Sequence, residues 1–197
     1  MKILYLNFID NNGGKMNTEL NLNELVKKAK KNDERAFTNL IHNIEDEMYS
    51  IAKIKLYDDN DVYEAMQNTI ILIYKNIKKL KNENFFRTWA IRILINECLK
   101  VIKSKKNEEE RYVLFKEEIT DTNYNIDKVE SKNNLERLLN CLNKNEKLVI
   151  TLYYCKNYTT KEISEILLES EGTIKSRISR AKTKVKKYIE EEALYEI

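Results

Sequence analysis

Apolar residues recur at spacings of three and four along most of the chain, and runs that alternate every second residue are few, so the pattern predicts helices and requires no sheet. Asn21 and Glu24 have the spacing of a capping box ahead of Leu22, Leu25, Val26 and Ala29, a short helix that stops near Lys31-Asn32. Asp33 caps a longer run carrying Ala36, Phe37, Leu40, Ile41, Ile44, Met48, Ile51 and Ala52, which the turn-forming cluster Asp58-Asp59-Asn60-Asp61 ends. The next helix, Asp61 to Lys79, buries Val62, Ala65, Met66, Thr69, Ile70, Ile73 and Ile77 and leaves Glu64, Gln67 and Asn68 outward. After the polar loop Lys78 to Asn84, the period returns from Phe85 to Lys105 at Phe86, Trp89, Ala90, Ile93, Leu94, Cys98 and Val101.

From Asn107 to Glu130 the pattern fades and acidic residues outnumber basic ones, which predicts a linker with one apolar knot, Val113-Leu114-Phe115. A second helical domain follows. Val129, Leu135, Leu138, Leu139 and Leu142 share one helix, and Asn143 with Glu146 makes a capping box before Leu148, Val149, Leu152 and Tyr153. Asn157 can take a left-handed turn. Thr159 and Glu162 form another capping box ahead of Ile163, Ile166 and Leu167, and Ser170 caps a final helix whose apolar side is Ile174, Ile178, Ala181, Val185 and Ile189. Two short helices joined by a tight turn constitute a helix-turn-helix. Between Thr173 and Lys187 the second helix carries Lys175, Arg177, Arg180, Lys182, Lys184, Lys186 and Lys187 with no acidic residue among them, which suits a polyanion. A recognition helix turns its N-terminal residues toward base edges, making Glu171, Thr173, Lys175, Ser176, Arg177 and Arg180 the candidate readers. The competing account, a merely solvated lysine-rich face, leaves the caps and the turn unexplained.

Composition narrows this picture. With 197 residues, 42% hydrophobic content, 3 Gly and no Pro, the expected fold is all-α: two small helical domains joined by an acidic flexible linker, the C-terminal one a helix-turn-helix. The expected boundaries are a disordered tail over 1–20, a first domain over 21–106, the linker over 107–130 and the second domain over 131–192. Gly13-Gly14 before Met16 is what translation of a purine-rich ribosome-binding sequence would give, so Met16 is the expected natural start. The net charge of +3 is small, so its concentration at the C-terminal helix is the informative fact. Cys98, Cys141 and Cys155 are odd in number and widely spaced, fitting reduced core thiols of a cytoplasmic protein. His42 is the single histidine and has no ligand set around it; no phosphate loop, nucleophile with a base, or metal motif is present, so neither catalysis nor a cofactor or metal is expected. No apolar run reaches membrane-spanning length.

The segments DERAFTNLI, DVYEAMQNTIILIY and FFRTWAIRILINECL in the first half, and LNKNEKLVI, YTTKEISEIL and EGTIKSRISRAKTKVKK in the second, resemble the extracytoplasmic-function type of bacterial RNA polymerase sigma factor. The resemblance spans about Asn32 to Glu190. It implies that the first domain binds core polymerase and the promoter −10 element, and that the second binds the −35 element. Carried over, Asp61, Glu64, Gln67, Asn68 and Thr69 would meet the clamp helices of the polymerase's largest subunit, and Arg87, Trp89, Arg92 and Asn96 would lie near the −10 strand. Trp89 also falls on the apolar stripe, which favours the core for it over strand contact. The implied partners are core polymerase, promoter DNA and an anti-sigma factor, often membrane-bound in this family, with no small-molecule substrate. Two departures stand out: Asp61-Val62-Tyr63-Glu64 replaces the family's usual acidic run, and Leu168-Glu169 replaces a common Gly-Ile at the helix-turn-helix turn. A stand-alone helix-turn-helix regulator is the rival reading, since such domains also end response regulators. A protein-binding helical adaptor would leave the basic helix without a purpose.

Overall fold

The computed structural model describes residues 15–115 and 139–195, with side chains placed for 22–106 and 139–191. Among the described residues there is no strand. The first half comprises α1 (Lys15–Ala29), α2 (Glu34–His42), α3 (Glu45–Lys55), α4 (Asp59–Asn76) and α5 (Phe86–Phe115). The first helix begins at Lys15, upstream of the expected Asn21 cap: Gly14 is the last helix-weakening residue before it, and Lys, Met, Glu and Leu all favour helix. Residues 15–20 of the expected tail are therefore helical, and the rest of that tail lies outside the described residues. Asn32 ends the α1 turn with φ 67°, and the Asp33 carboxylate accepts the Ala36 amide at 2.9 Å to start α2.

The long run expected from Asp33 to Ala52 breaks into α2 and α3. The Asn43 side-chain amide donates to the Asn39 carbonyl at 2.7 Å, competing with the backbone ladder, and Ile44 leaves helical geometry at φ −120° with its side chain buried. Asp58, three residues before the expected start, caps α4 through the amides of Asn60 and Asp61. Lys30 fastens the end of α1 to the loop before α5, donating to the Leu80 carbonyl and to Glu83, each at 2.8 Å. The final helix of this half runs nine residues into the expected linker, as far as Phe115. Neither Gly nor Pro interrupts 105–115, and its Lys, Glu, Arg and Leu residues favour helix, so an acidic composition there extends a helix instead of dissolving it. The rest of the linker, and Val129, Leu135 and Leu138 of the helix expected after it, lie outside the described residues.

The second half comprises α6 (Lys144–Ile150), which widens into a π-helical turn over Thr151–Cys155, then α7 (Thr160–Leu167) and α8 (Glu171–Tyr195). Both capping boxes form: Asn143 with Glu146, and Thr159 with Glu162. Asn157 turns the chain with φ 58°. Cys98 is buried and burial pushes its thiol up to about 12, whereas Cys155 is exposed and does not fill the core as expected. No described helix is long and apolar enough to cross a membrane.

The two halves share a continuous core. The α7 helix lies on α5 and α6 lies on α3, so Leu148, Leu152, Ile163 and Ile166 join Met48, Ile51, Ile91 and Leu94 in one apolar cluster. Polar contacts edge this seam: Lys55 donates to Asn145 at 3.0 Å, Lys144 to the Lys55 carbonyl at 3.3 Å, and the Lys144 ammonium stands 3.9 Å over the Tyr57 ring.

Candidate nucleic-acid interface

The helix-turn-helix is α7, a three-residue reversal over Leu168, Glu169 and Ser170, and α8. Leu168 adopts the left-handed conformation that a glycine usually supplies, φ 56° and ψ 37°, and its amide bonds back to Ser164. Ser170 then starts α8 by accepting the Thr173 amide at 3.1 Å. Ile174, Ile178 and Ala181 seat the helix on α6 and α7, with Val185 packed against the same core; Ile189 is exposed and does not continue that stripe. Turned outward are Gly172, Thr173, Lys175, Ser176, Ser179 and Arg180. Four of these six were expected readers. Gly172 and Ser179 were not, although Ser179 stands three residues beyond Ser176 and so shares its face. A Cβ on Gly172 would meet only the Ser170 hydroxyl at 3.8 Å, so nothing inside the protein demands glycine there; its absence of a side chain opens the helix start to close approach from outside.

The basic residues of α8 have acidic neighbours that the 173–187 window does not contain. Lys175 pairs with Glu171 at 2.9 Å, Lys186 with Glu190 at 3.6 Å and Lys187 with Glu191 at 3.5 Å, all one helical turn apart, solvent-exposed, weak and open to replacement by phosphate. Glu171 also accepts the Thr160 hydroxyl at 2.6 Å, a bond that holds its carboxyl below the usual range with help from Lys175 and ties the start of α7 to the start of α8. Lys184 reaches back to Glu146 with bonds of 2.8 and 2.9 Å. Arg177 is locked most firmly: its two terminal nitrogens donate to the two oxygens of Glu169 at 3.0 and 2.7 Å across the turn. Arg180 has no ion pair among the described residues.

In the first half, Arg92 and Asn96 are exposed on α5 one turn apart, while Trp89 is half-buried against the core with its ring 6.2 Å from Phe86, as its place on the apolar stripe implied. Arg87 faces inward. It donates to both oxygens of the buried Glu47, the shortest bond being 2.8 Å, and its guanidinium stands 5.3 Å from the Tyr158 ring of the second half. The Tyr158 hydroxyl is buried and has no hydrogen-bond partner among the described residues; burial first, and the nearby Glu47 charge next, drive its ionisation far upward.

On α4, Glu64 and Gln67 are exposed and Asn68 is half-buried, forming one outward face. Thr69 does not belong to it: it is fully buried and donates to the Ala65 carbonyl at 2.7 Å, a core position its place on the apolar stripe had already indicated. Asp61 is mostly covered and pairs with Lys105 at 2.7 Å. Ile71, one turn beyond Gln67, is 49% exposed and completes the face; an apolar residue among outward polar ones was the signal for it. His42 sits on the surface beside Glu45.

This arrangement defines a two-part helical protein ending in a helix-turn-helix with a basic outer face. Residues 40–108 match the family model described as sigma-70 region 2, and residues 132–185 match the one described as sigma-70, region 4. The chain is 26% identical over 183 residues to the extracytoplasmic-function (ECF) sigma factor SigW of Bacillus subtilis, covering 87% of this chain and 98% of that one. It is 24% identical to the ECF sigma-E factor of Haemophilus influenzae, covering 84% and 94%. Among solved structures it resembles CnrH bound to the cytosolic domain of CnrY, at a TM-score of 0.61 and 18% identity over 86% of this chain and 97% of that one. It also resembles RpoE bound to the anti-sigma factor NepR from Bartonella quintana, at 0.57 and 18% over 78% and 96%. The chain belongs to the sigma-70 family, in its ECF branch.

Proposed function

We propose that this chain is an alternative sigma factor that binds core RNA polymerase, directs it to a specific set of promoters and assists strand opening. The observation that carries this is the presence of both sigma-70 regions, 2 and 4, in that order on one chain. Region 4 contains the helix-turn-helix, whose outward Thr173, Lys175, Ser176 and Arg180 suit a −35 major groove. Region 2 contains the exposed Arg92 and Asn96, suited to a −10 strand, and the Glu64, Gln67, Asn68 and Ile71 face, suited to polymerase. Trp89 and Arg87 are covered in this arrangement and would reach a strand only after the halves move. The chain supplies recognition through binding energy, bond-making belongs to the polymerase, and its place of work is the cytoplasm. Because relatives of this fold are seen bound to CnrY and to the anti-sigma factor NepR, an anti-sigma partner is part of the proposal.

The test is run-off transcription from a promoter library with core polymerase, with and without the chain. Promoter-specific transcripts are expected only when both are present. Tight, sequence-selective binding by the chain alone, with no effect on polymerase, would establish the stand-alone regulator instead; nothing in the structure favours that reading, and it leaves region 2 without a task.

A further inference from the structure

Among the outward and edge residues of α8, two are arginines, and only an arginine presents the planar fork that makes two bonds to the O6 and N7 of guanine. The two are in different situations. Arg180 is exposed, stands on the same face as Thr173 and Ser176, and has no ion pair among the described residues. Arg177 lies at the edge of that face, its side chain only 17% exposed, with its terminal nitrogens on the oxygens of Glu169 at 3.0 and 2.7 Å. A guanine contact would need the same two nitrogens. Glu169 itself is held in place by the backbone: Leu168 is left-handed, the Glu169 amide donates to Ser164 at 3.2 Å, and Ser170 begins α8 immediately afterwards. Its carboxylate therefore projects from the turn at a fixed position, two helical turns back from Arg177.

We propose that Glu169 sets the base preference of the recognition helix by holding the Arg177 fork at the turn, which leaves Arg180 as the arginine that reads guanine. The proposal rests on the sigma-factor reading above and deepens it. Arg177 acts as a positioning residue, joining the turn to α8 so that Thr173, Ser176 and Arg180 meet the groove at one angle. Losing the Glu169 carboxylate frees a second fork beside the first, and a second guanine preference, one or more base pairs away, follows from the spacing of the two side chains along the helix.

The test uses full holoenzyme and a promoter library randomised through the −35 element. Arg180→Ala should lower discrimination at one base pair by about tenfold. Arg177→Ala should leave the ranking of bases unchanged while lowering overall occupancy. Glu169→Gln and Glu169→Ala should each add a preference absent from the wild type, and combining either with Arg177→Ala should remove it again. Thermal melting of each variant identifies any that lose the fold, and Glu169→Gln keeps the shape of the side chain should the alanine variant unfold. The proposal is overturned if both Glu169 variants, folded, keep the wild-type ranking, or if Arg177→Ala erases a base preference. A wild-type holoenzyme with no −35 preference at all would overturn the sigma-factor reading, and this proposal with it, so the two failures are distinguishable.

Discussion

Leu168 holds a left-handed backbone at φ 56° although it carries a Cβ and is 64% exposed, so little burial offsets the strain. Left-handed geometry costs an ordinary residue about 1–2 kcal/mol, and glycine gives back about 0.5–1 kcal/mol in unfolded-chain entropy. Leu168→Gly should therefore stabilise the protein by about 0.5–1 kcal/mol, raising the melting temperature by about 1–4 °C in differential scanning calorimetry. Replacement of the family's turn glycine was visible in the sequence. The use made of its neighbour was not: Glu169 and Arg177 are eight apart, a separation that no single helix brings together, and only the reversal at Leu168 makes them partners. The same holds for Arg87, whose partners Glu47 and Tyr158 lie on other elements. A residue's type and face were legible; its charge partner, decided by turns and by distant chain, was not.

Four helix starts were legible because a cap is a local device, whereas those expected at Asn21 and Asp61 fall inside helices that begin at Lys15 and Asp59. Asp33, Asn143, Thr159 and Ser170 each bond an amide two or three residues ahead, and no tertiary contact is needed to foresee that. Interruptions and extensions were read poorly. The break at Asn43-Ile44 follows from a side-chain bond and from the pull of the core on Ile44, while the reach of α5 to Phe115 follows from helix-favouring charges whose acidity alone suggested a linker. Glu146 shows a cap working between elements. Burial alone would push its carboxyl up, but the Lys184 ammonium and the Asn143 amide outweigh this and hold it below the ordinary value of 4.5. A lowered carboxylate pKa stabilises the fold above that value and loses the contribution as pH falls below it. Glu146→Gln should accordingly cost about 1–3 kcal/mol at pH 7. Urea unfolding at a series of pH values should show this deficit shrinking as the wild type is acidified below about 4.5; a deficit that stays constant would mean that Glu146 acts through packing alone.

For the whole molecule, the shared core places region 4 against region 2, with Arg87 enclosed between Glu47 and Tyr158. Tyr57 contributes at the rim, 73% exposed beneath the Lys144 ammonium, so its removal weakens the seam without hollowing the core. An exposed cation–π contact is worth about 0.5–1 kcal/mol, so Tyr57→Ala should raise the population of separated halves about two- to fivefold, measured by single-molecule energy transfer between labels on α4 and α7. An unchanged distance distribution would show that Tyr57 contributes nothing to the seam. The seam also crowds three cations. Burial lowers the Lys55 pKa, and Lys144 and Arg177 from the opposite half add to this, partly offset by Cys98 and by Glu169, the partner of Arg177. Dissolved ions screen that repulsion, easing the halves together, and the same ions weaken the pull of α8 on phosphate. Both effects oppose engagement of DNA. If the halves part on engaging a promoter, affinity should fall with ionic strength more steeply than about 0.9 decades per decade of salt for each phosphate touched, the excess recording that parting, and a salt series of promoter binding measures it.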